Sequence, residues 1–194
     1  MALFGLGPAL SHPPVVRGEG VVLRPAELRD FEAWADLREA SRAHLTPWEP
    51  IWPDDDLTRG AFRRRVRRHA LEIENDEAFA FLVFRAADSV LLGGITLGHV
   101  RRGVAQTATM GYWMGAPYAG QHYMSRAVRA ATAFAFASLN LHRLEAACLP
   151  HNFASIQLLE ATGFACEGLA RGYLRIAGKW QDHLLFARLE SDAA

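Results

Sequence analysis

The chain has 194 residues, of which 51% are apolar, and its 21 basic residues balance 21 acidic ones. This length and composition suffice for one domain with a sizeable core, and the balanced charge gives no chain-wide attraction to nucleic acid. The two cysteines match no zinc or redox spacing, so we expect a reducing compartment, the cytoplasm. The start of the chain lacks a basic region and is too short to span a membrane, so we interpret residues 1–15 as a loose extension and residues 16–194 as one domain.

The first part of the chain predicts a strand, a helix and a long loop. A β-branched run at 21–25 is stopped by proline, and apolar residues at helical spacing follow over 27–43. Residues 45–53 contain three prolines, which exclude regular structure, yet they also hold two tryptophans and a carboxylate. We therefore predict a loop that covers part of the molecule.

A second helix and a meander of strands are predicted next. Three aspartates precede residues 57–74 and complement the dipole of an arginine-rich helix. Three apolar stretches separated by polar turns, at 78–84, 91–100 and 105–114, are typical of an antiparallel sheet.

The last third predicts two more helices and three more strands. The alanine-rich stretch 124–139 predicts a long helix packed closely on the sheet. Residues 143–149 predict a strand, 155–162 a short helix ended by glycine, and 165–173 and 179–189 a closing pair of strands. The resulting order, βααβββαβαββ, predicts one mixed α/β domain with about seven strands and about four helices.

A glycine-bearing loop between a predicted strand and helix is the first candidate for chemistry. It runs over residues 111–125, and Gly120 allows close approach of the backbone to a ligand. Loop N–H groups and the positive end of the following helix form a pocket suited to a pyrophosphate. The same pattern also serves simply to turn the chain from a sheet into a helix.

A second motif follows about thirty residues later, where Asn152 and Ser155 open a helix that ends at Gly163 and Phe164. Taken alone, Asn152 is an ordinary helix cap and Ser155 an ordinary first-turn residue.

Together these segments resemble the GNAT acetyltransferases, and in detail the RimJ/RimL type, whose members acetylate N-terminal residues of ribosomal proteins. The resemblance extends from residue 21 to residue 189 and rests on several separate segments: Leu45–Pro50, Gly111–Met114, Leu141–Glu145, Pro150–Asn152 and Tyr173–His183. It implies a GNAT fold with a central mixed, largely antiparallel, splayed sheet. It also implies transfer of acetyl from acetyl-CoA to an amine by direct attack in a ternary complex, with the N-terminal α-amino group of a ribosomal protein as the expected acceptor. A small-molecule amine acetyltransferase and a non-catalytic CoA-binding or ribosome-binding module remain alternatives.

The resemblance assigns the pyrophosphate loop to one short stretch of backbone. The residues expected to bind there are Ala119, Gly120, Gln121, His122, Tyr123 and Met124. Pro117 and His122 depart from the family pattern, which has a basic or amide residue and a second glycine at these positions. Because most contacts come from backbone N–H groups, we expect binding to survive both changes.

The remaining cofactor contacts are implied further along the chain. Pantetheine is expected to pair with the strand that ends at Trp113 and Met114, and Asn152 is expected to hydrogen-bond the pantetheine arm. Ser155 is expected to protonate the departing thiolate, although a thiol with a pKa near ~8.5 leaves with little help.

For the acceptor side, we expect Glu49 or Glu145 to receive the proton of the amine, directly or through water. An α-amino group with a pKa near ~8 is already partly neutral at neutral pH, which lowers the demand for a strong base. Trp48, Glu49 and Tyr112 are the candidate acceptor-binding residues. Trp48 equally fits a structural role as a lid on the core, and Glu145 fits an exposed strand residue.

The run Arg63–Arg68 is the most basic segment of the chain. Such a run is usually a solvated helix face, and an alternative is a contact with rRNA phosphates. The histidines show no spacing with carboxylates that suggests a metal site, so no metal is expected. Sequence leaves open whether the protein is a monomer or a homodimer.

Overall fold

A computed structural model describes residues 13–193, and its centre is an eight-stranded sheet. The strands in chain order are β1 Val16–Gly18, β2 Val21–Arg24, β3 Phe79–Arg85, β4 Leu91–Arg101, β5 Thr107–Met114, β6 Arg143–Cys148, β7 Ala165–Ile176 and β8 Lys179–Leu189. Their order across the sheet is β1-β2-β3-β4-β5-β6-β8-β7. All neighbours pair antiparallel except β5 and β6, which pair parallel.

Within residues 13–193, five α-helices connect or cover these strands. They are α1 Phe31–Ala40, α2 Arg42–Leu45, α3 Arg59–Glu74, α4 Tyr123–Ala137 and α5 Phe153–Ala161. Among the described residues, no helix is long and apolar enough to cross a membrane.

Two hydrophobic cores lie on opposite faces of the sheet. The larger one is built from the apolar faces of α4 and α5 against strands β2 to β6 and β8. The alanines of α4 allow the helix to approach closely, so that Gly18 of β1 lies directly against Ala130. The smaller core packs Trp34 and Leu37 of α1 and Phe62 of α3 on the other face. The α4/α5 face and the α1/α3 face are therefore distinct surfaces of one sheet.

The predicted mixed α/β class is confirmed, and each predicted strand and helix has a counterpart. The sheet has eight strands rather than about seven because the short edge strand β1 precedes the predicted first strand, and α2 is an added helix. The predicted loop 45–53 begins with a 3-10 turn at Thr46–Trp48, where Pro47 occupies a position that needs no N–H donor. Of the predicted extension, residues 1–12 lie outside the described residues.

Candidate active site

The parallel strands β5 and β6 separate partway along their length. Thr107–Met110 pairs with residues 143–146, and no pairing is present beyond Met110 and Ala146 although β5 continues to Met114 and β6 to Cys148. The backbone of residues 111–114 therefore has no strand partner on the β6 side. We call this opening the β5–β6 gap.

The loop that leaves the open end of β5 has the geometry of an anion site. Gly120 and His122 both adopt left-handed backbone conformations, with φ of 73° and 60°. The first intrahelical bond of α4 runs from Arg126 N–H to His122 O at 3.2 Å, so the N–H groups of residues 123–125 remain free for a ligand. The Gln121 side chain closes the loop by donating to Pro117 O at 2.9 Å.

Each residue assigned to this loop contributes mainly through its backbone. Ala119, Gly120 and Gln121 are exposed, whereas the Met124 side chain is buried in the core, so Met124 can offer a ligand only its N–H. His122 replaces a glycine of the family pattern and holds a conformation that costs a non-glycine residue roughly 1–2 kcal/mol. The loop keeps its left-handed turn in spite of that substitution.

The start of α5 lies across the gap from this loop. The Asn152 side-chain oxygen accepts the Ser155 N–H at 3.2 Å, which caps the helix. The Asn152 amide NH₂ has no protein acceptor among the described residues and is left for a ligand.

Ser155, Tyr112 and Cys148 come together on the α4/α5 face of the gap. Burial raises the pKa of Tyr112 to about 12, and the neighbouring Ser155 side chain acts in the opposite direction. Burial also raises the pKa of the Cys148 thiol to about 11. Both groups are therefore neutral at neutral pH, and neither supplies a nucleophile or a base there.

Tyr112 and Trp113 lie on opposite faces of β5. Tyr112 packs against the larger core with α4 and α5, whereas Trp113 packs against the smaller core with α1 and α3. Trp113, assigned to the cofactor, thus turns its indole toward the α1/α3 face and offers a ligand in the gap its backbone. Tyr112, assigned to the acceptor, shares its face with Ser155.

Glu49 is held in a cluster of charged and aromatic groups. Its carboxylate accepts two hydrogen bonds from Arg38 at 2.8 Å each, and one from the Trp52 indole at 2.6 Å. The Arg38 guanidinium also lies over the rings of Trp52 and Trp113, at 4.0 and 5.0 Å. The loop that carries Glu49 is thereby fixed to α1 and to β5.

The same loop spans the mouth of the gap. The Trp48 ring lies 5.5 Å from the ring of His151, which precedes α5. The Glu49 carbonyl accepts the Ala177 N–H at 3.0 Å, in the turn between β7 and β8. Trp48 and Glu49 are therefore brought beside the gap.

Glu145 lies at the closed end of the gap and not at its mouth. It is opposite Thr109, in the paired part of the two strands. Its carboxylate accepts from Arg101 at 2.9 Å and from Arg143 at 3.0 Å, and Arg143 in turn binds Glu167. Glu145 thus belongs to an ion-pair chain that crosses the sheet and stands apart from Ser155 and Glu49.

Arg38 is a site residue that the sequence analysis missed. It is only 6% exposed and ties Glu49, Trp52 and Trp113 together. A signal was present, since Arg38 follows Leu37 and lies four residues after Trp34 on the apolar side of its helix, where a charged residue requires a partner. Within residues 13–193, no group of three or more potential ligands is arranged to hold a metal ion.

Comparison with known proteins agrees with this geometry. The model of the acetyltransferase (GNAT) domain matches residues 21–165. Probable N-acetyltransferase YjcK of Bacillus subtilis is 35% identical over 92% of this chain and 98% of that protein. The ribosomal protein uS5-alanine N-acetyltransferase of Escherichia coli is 31% identical over 94% and 95%. The structure of Mycobacterium smegmatis RimJ in complex with CoA-disulfide is 30% identical, with a TM-score of 0.86 over 93% of this chain and 88% of that one. The chain therefore belongs to the GNAT family of N-acetyltransferases.

Proposed function

We propose that this protein transfers acetyl from acetyl-CoA to the N-terminal α-amino group of a protein, with a ribosomal protein as the acceptor. The observation that carries the proposal is the β5–β6 gap, which opens between a left-handed loop with free helix N–H groups and the capped start of α5. The E. coli relative, named as an acetyltransferase of ribosomal protein uS5, supports the choice of acceptor. An acceptor of this kind is met in the cytoplasm.

Acetyl-CoA is held by backbone groups on both sides of the gap. The pyrophosphate accepts from the loop 119–122 and from the first N–H groups of α4. The pantetheine arm lies along the unpaired edge of residues 111–114 and accepts from, or donates to, that backbone as an added strand would. The Asn152 amide donates to a carbonyl of the same arm.

The acetyl group is transferred by direct attack of the neutral amine on the thioester carbonyl. The C–N bond forms as the C–S bond breaks, and Ser155 gives its proton to the sulfur of the leaving CoA and regains a proton from water, which also takes the proton lost by the amine. Tyr112, beside Ser155, stays protonated across the neutral range and therefore takes no proton from it. No acyl-enzyme is needed, because the protonated Cys148 is a poor nucleophile.

Water, rather than a carboxylate, takes the proton from the attacking amine. Both oxygens of Glu49 already accept from Arg38, and Glu145 is bound by two arginines at the closed end of the gap. An amine with a pKa near ~8 makes no demand for a stronger base. Glu49 instead fixes the loop that borders the acceptor side.

The exposed arginines of α3 are the residues we propose for a contact with rRNA. Among the described residues, Arg63 and Arg67 are exposed and have no carboxylate partner, whereas Arg64, Arg65 and Arg68 are paired with Asp55, Asp56 and Glu72. A contact made by two arginines would give a shallow dependence of ribosome affinity on salt, with a slope of about −2 on a logarithmic plot.

Mass spectrometry of N-terminal peptides from cells with and without the gene tests this proposal. We expect one or a few ribosomal proteins to lose N-terminal acetylation when the gene is deleted. An unchanged N-terminal acetylome, together with acetylation of small amines by the purified enzyme, would establish the small-molecule alternative instead.

A further inference from the structure

A basic cavity lies between α1, α3 and the sheet, outside the β5–β6 gap. Its volume is about 240 Å³. Its polar lining consists of Arg38, Arg65, Arg68, His69, Thr96 and Trp113. We call it the arginine cavity.

The charges that face this cavity are all positive. Its lining includes three arginines and a histidine and no acidic residue. The neighbouring carboxylates, which pair with Arg38, Arg65 and Arg68, are not among the lining residues: Glu49, Asp56 and Glu72. The cavity is therefore lined by guanidinium groups whose carboxylate partners lie outside its walls.

The titratable groups respond to one another across the cavity. Burial, together with Arg68 and Arg65, lowers the pKa of His69 to about 4. Burial also lowers the pKa of Arg65, with Arg38 and Arg68 acting in the same direction and Asp56 against them. These groups repel each other, and an anion between them would relieve that repulsion.

Arg38, which lines the cavity, keeps one donor that no protein group within residues 13–193 satisfies. The residue is 6% exposed, and its Nε is buried without a hydrogen-bond partner. A buried donor without an acceptor is costly, and native structures rarely keep one. Because this Nε is closed to solvent, an oxyanion in the arginine cavity reaches it only if the Arg38 side chain shifts.

The cavity reaches the part of β5 that borders the gap, on the α1/α3 face of the sheet. Thr96 lines it and pairs with Gly111, and a Cβ at Gly111 would meet no atom within 4 Å. Trp113, two residues further along the same face, lines the cavity as well. The arginine cavity thus continues toward the open surface beside the gap.

We propose that the arginine cavity is an oxyanion site that receives the carboxylate of an acidic residue near the N-terminus of the acceptor. The choice of an acceptor carboxylate as the occupant rests on the proposed function. The existence of an oxyanion site in the cavity does not depend on that function. A water takes up ~30 Å³, so the cavity holds a carboxylate group together with several waters. A free anion such as phosphate offers the same oxygens, and the experiment separates the two sources.

The first arm of the experiment measures free anions by NMR. The imidazole signal of His69, assigned by its loss in His69→Gln, is followed in the full chain while phosphate or acetate is added in place of chloride. We expect a saturable shift and a pKa for His69 that moves up from about 4, because the anion stabilises the imidazolium.

A matched pair of variants tests whether the anion binds in the arginine cavity. Arg68→Gln removes a lining guanidinium whose side chain is 65% exposed and paired with Glu72, and it should weaken anion binding. Arg59→Gln removes a guanidinium of the same helix that is 67% exposed and paired with Glu32, but it lies outside the cavity and should have no effect.

The second arm compares acceptor peptides that differ only by Asp or Asn at one of the first few positions after the N-terminal residue. We expect a KM lower by about tenfold for one Asp peptide, the effect of a charge-assisted hydrogen bond, with kcat unchanged. The preference should be lost in Arg68→Gln and kept in Arg59→Gln.

Three results decide the proposal. A preference for the acidic peptide that depends on Arg68 supports the acceptor as the source. Saturable binding of phosphate without such a preference supports the oxyanion site and overturns the acceptor as its source. Absence of both overturns the site and leaves a cavity filled with water. Because the NMR arm needs no turnover, failure of the acetyltransferase assignment is distinguishable from failure of the oxyanion site.

Discussion

Ser155 contributes to the fold through its backbone and to the gap through its side chain. Its N–H is bound by the Asn152 side chain, whereas its hydroxyl lies near Tyr112 in the β5–β6 gap. The helix cap therefore depends on the Ser155 backbone and not on its hydroxyl. This separation makes the hydroxyl removable with little effect on the fold.

Ser155→Ala should lower turnover by about 100-fold or more, because the leaving thiolate loses its proton donor, and should leave the acetyl-CoA affinity little changed. Steady-state kinetics and calorimetry measure the two quantities. Asn152→Ala is the contrasting variant, since it removes the cap and should cost about 1 kcal/mol of stability. Near-normal turnover in Ser155→Ala would leave Ser155 without a chemical role.

Glu49→Gln should raise the KM for an N-terminal peptide and leave the KM for acetyl-CoA unaltered. The substitution weakens the bond to Arg38, and with it the loop that carries Trp48 to the mouth of the gap. Trp48→Ala should act in the same direction. A fall in kcat without a change in KM would instead show that Glu49 takes part in the chemical step. If neither variant changed kcat or KM, the loop would serve only to cover the core.

His69 makes the free energy of unfolding fall as the pH is lowered. Its pKa is 6.5 when unperturbed and about 4 in the folded protein, so the unfolded state binds more protons between these values. This contribution to stability is complete above the unfolded pKa and is lost as the pH falls toward the folded pKa. His69→Gln should therefore flatten the fall of the melting temperature from pH 6.5 to pH 4, whereas His44→Gln, at an exposed histidine, should not. Identical pH profiles of His69→Gln and the wild type would contradict this account.

At the scale of elements, the proposed binding of acetyl-CoA depends most on the loop before α4. Gly120 has φ of 73°, a conformation that β-branched residues hardly adopt, and open space surrounds its missing Cβ. Gly120→Val should weaken acetyl-CoA binding by calorimetry from an expected micromolar Kd, about −8 kcal/mol, while circular dichroism stays native. His122→Gly keeps the left-handed turn and should retain binding. If Gly120→Val and the wild type bound acetyl-CoA with equal affinity, the phosphates would not be bound by this loop.

The elements of the fold could be predicted because their patterns are local. The three apolar runs of β3, β4 and β5 and the alanine-rich α4 need no knowledge of distant residues. The edge strand β1 was missed because three residues carry too little alternation to be seen. The turn at Thr46–Trp48 was missed because proline excludes a helix interior but is favoured in a first turn.

The sequence predicts those parts of the site in which the ligand is bound by backbone groups whose conformation is set by neighbouring residues. The glycine loop and the helix start at Asn152 are signalled by residues whose conformations are locally set. The hydrogen-bond partners of Glu49 and Glu145 are not signalled by local sequence, because Arg38 lies 11 residues from Glu49 and Arg101 lies 44 residues from Glu145. Which face of β5 each side chain occupies likewise depends on the packing of α1 and α5.

At the scale of the whole molecule, the sheet is held closed at one end of the β5–β6 pair and open at the other. Strand pairing and the ion pairs of Arg101, Glu145 and Arg143 fix the closed end. The loop around Glu49 reaches from α1 to the turn after β7 and borders the open end. In the function proposed here, cofactor and acceptor meet at this open end.

The measurement that tests this account most directly locates the transferred acetyl group. The purified protein is incubated with acetyl-CoA and either of two peptides that carry an internal lysine, one with a free N-terminus and one with a blocked N-terminus. Tandem mass spectrometry should find acetyl on the α-amino group of the free peptide and none on the blocked peptide. Acetyl on the lysine of both peptides, or no acetylated peptide alongside no binding of acetyl-CoA, would contradict the account.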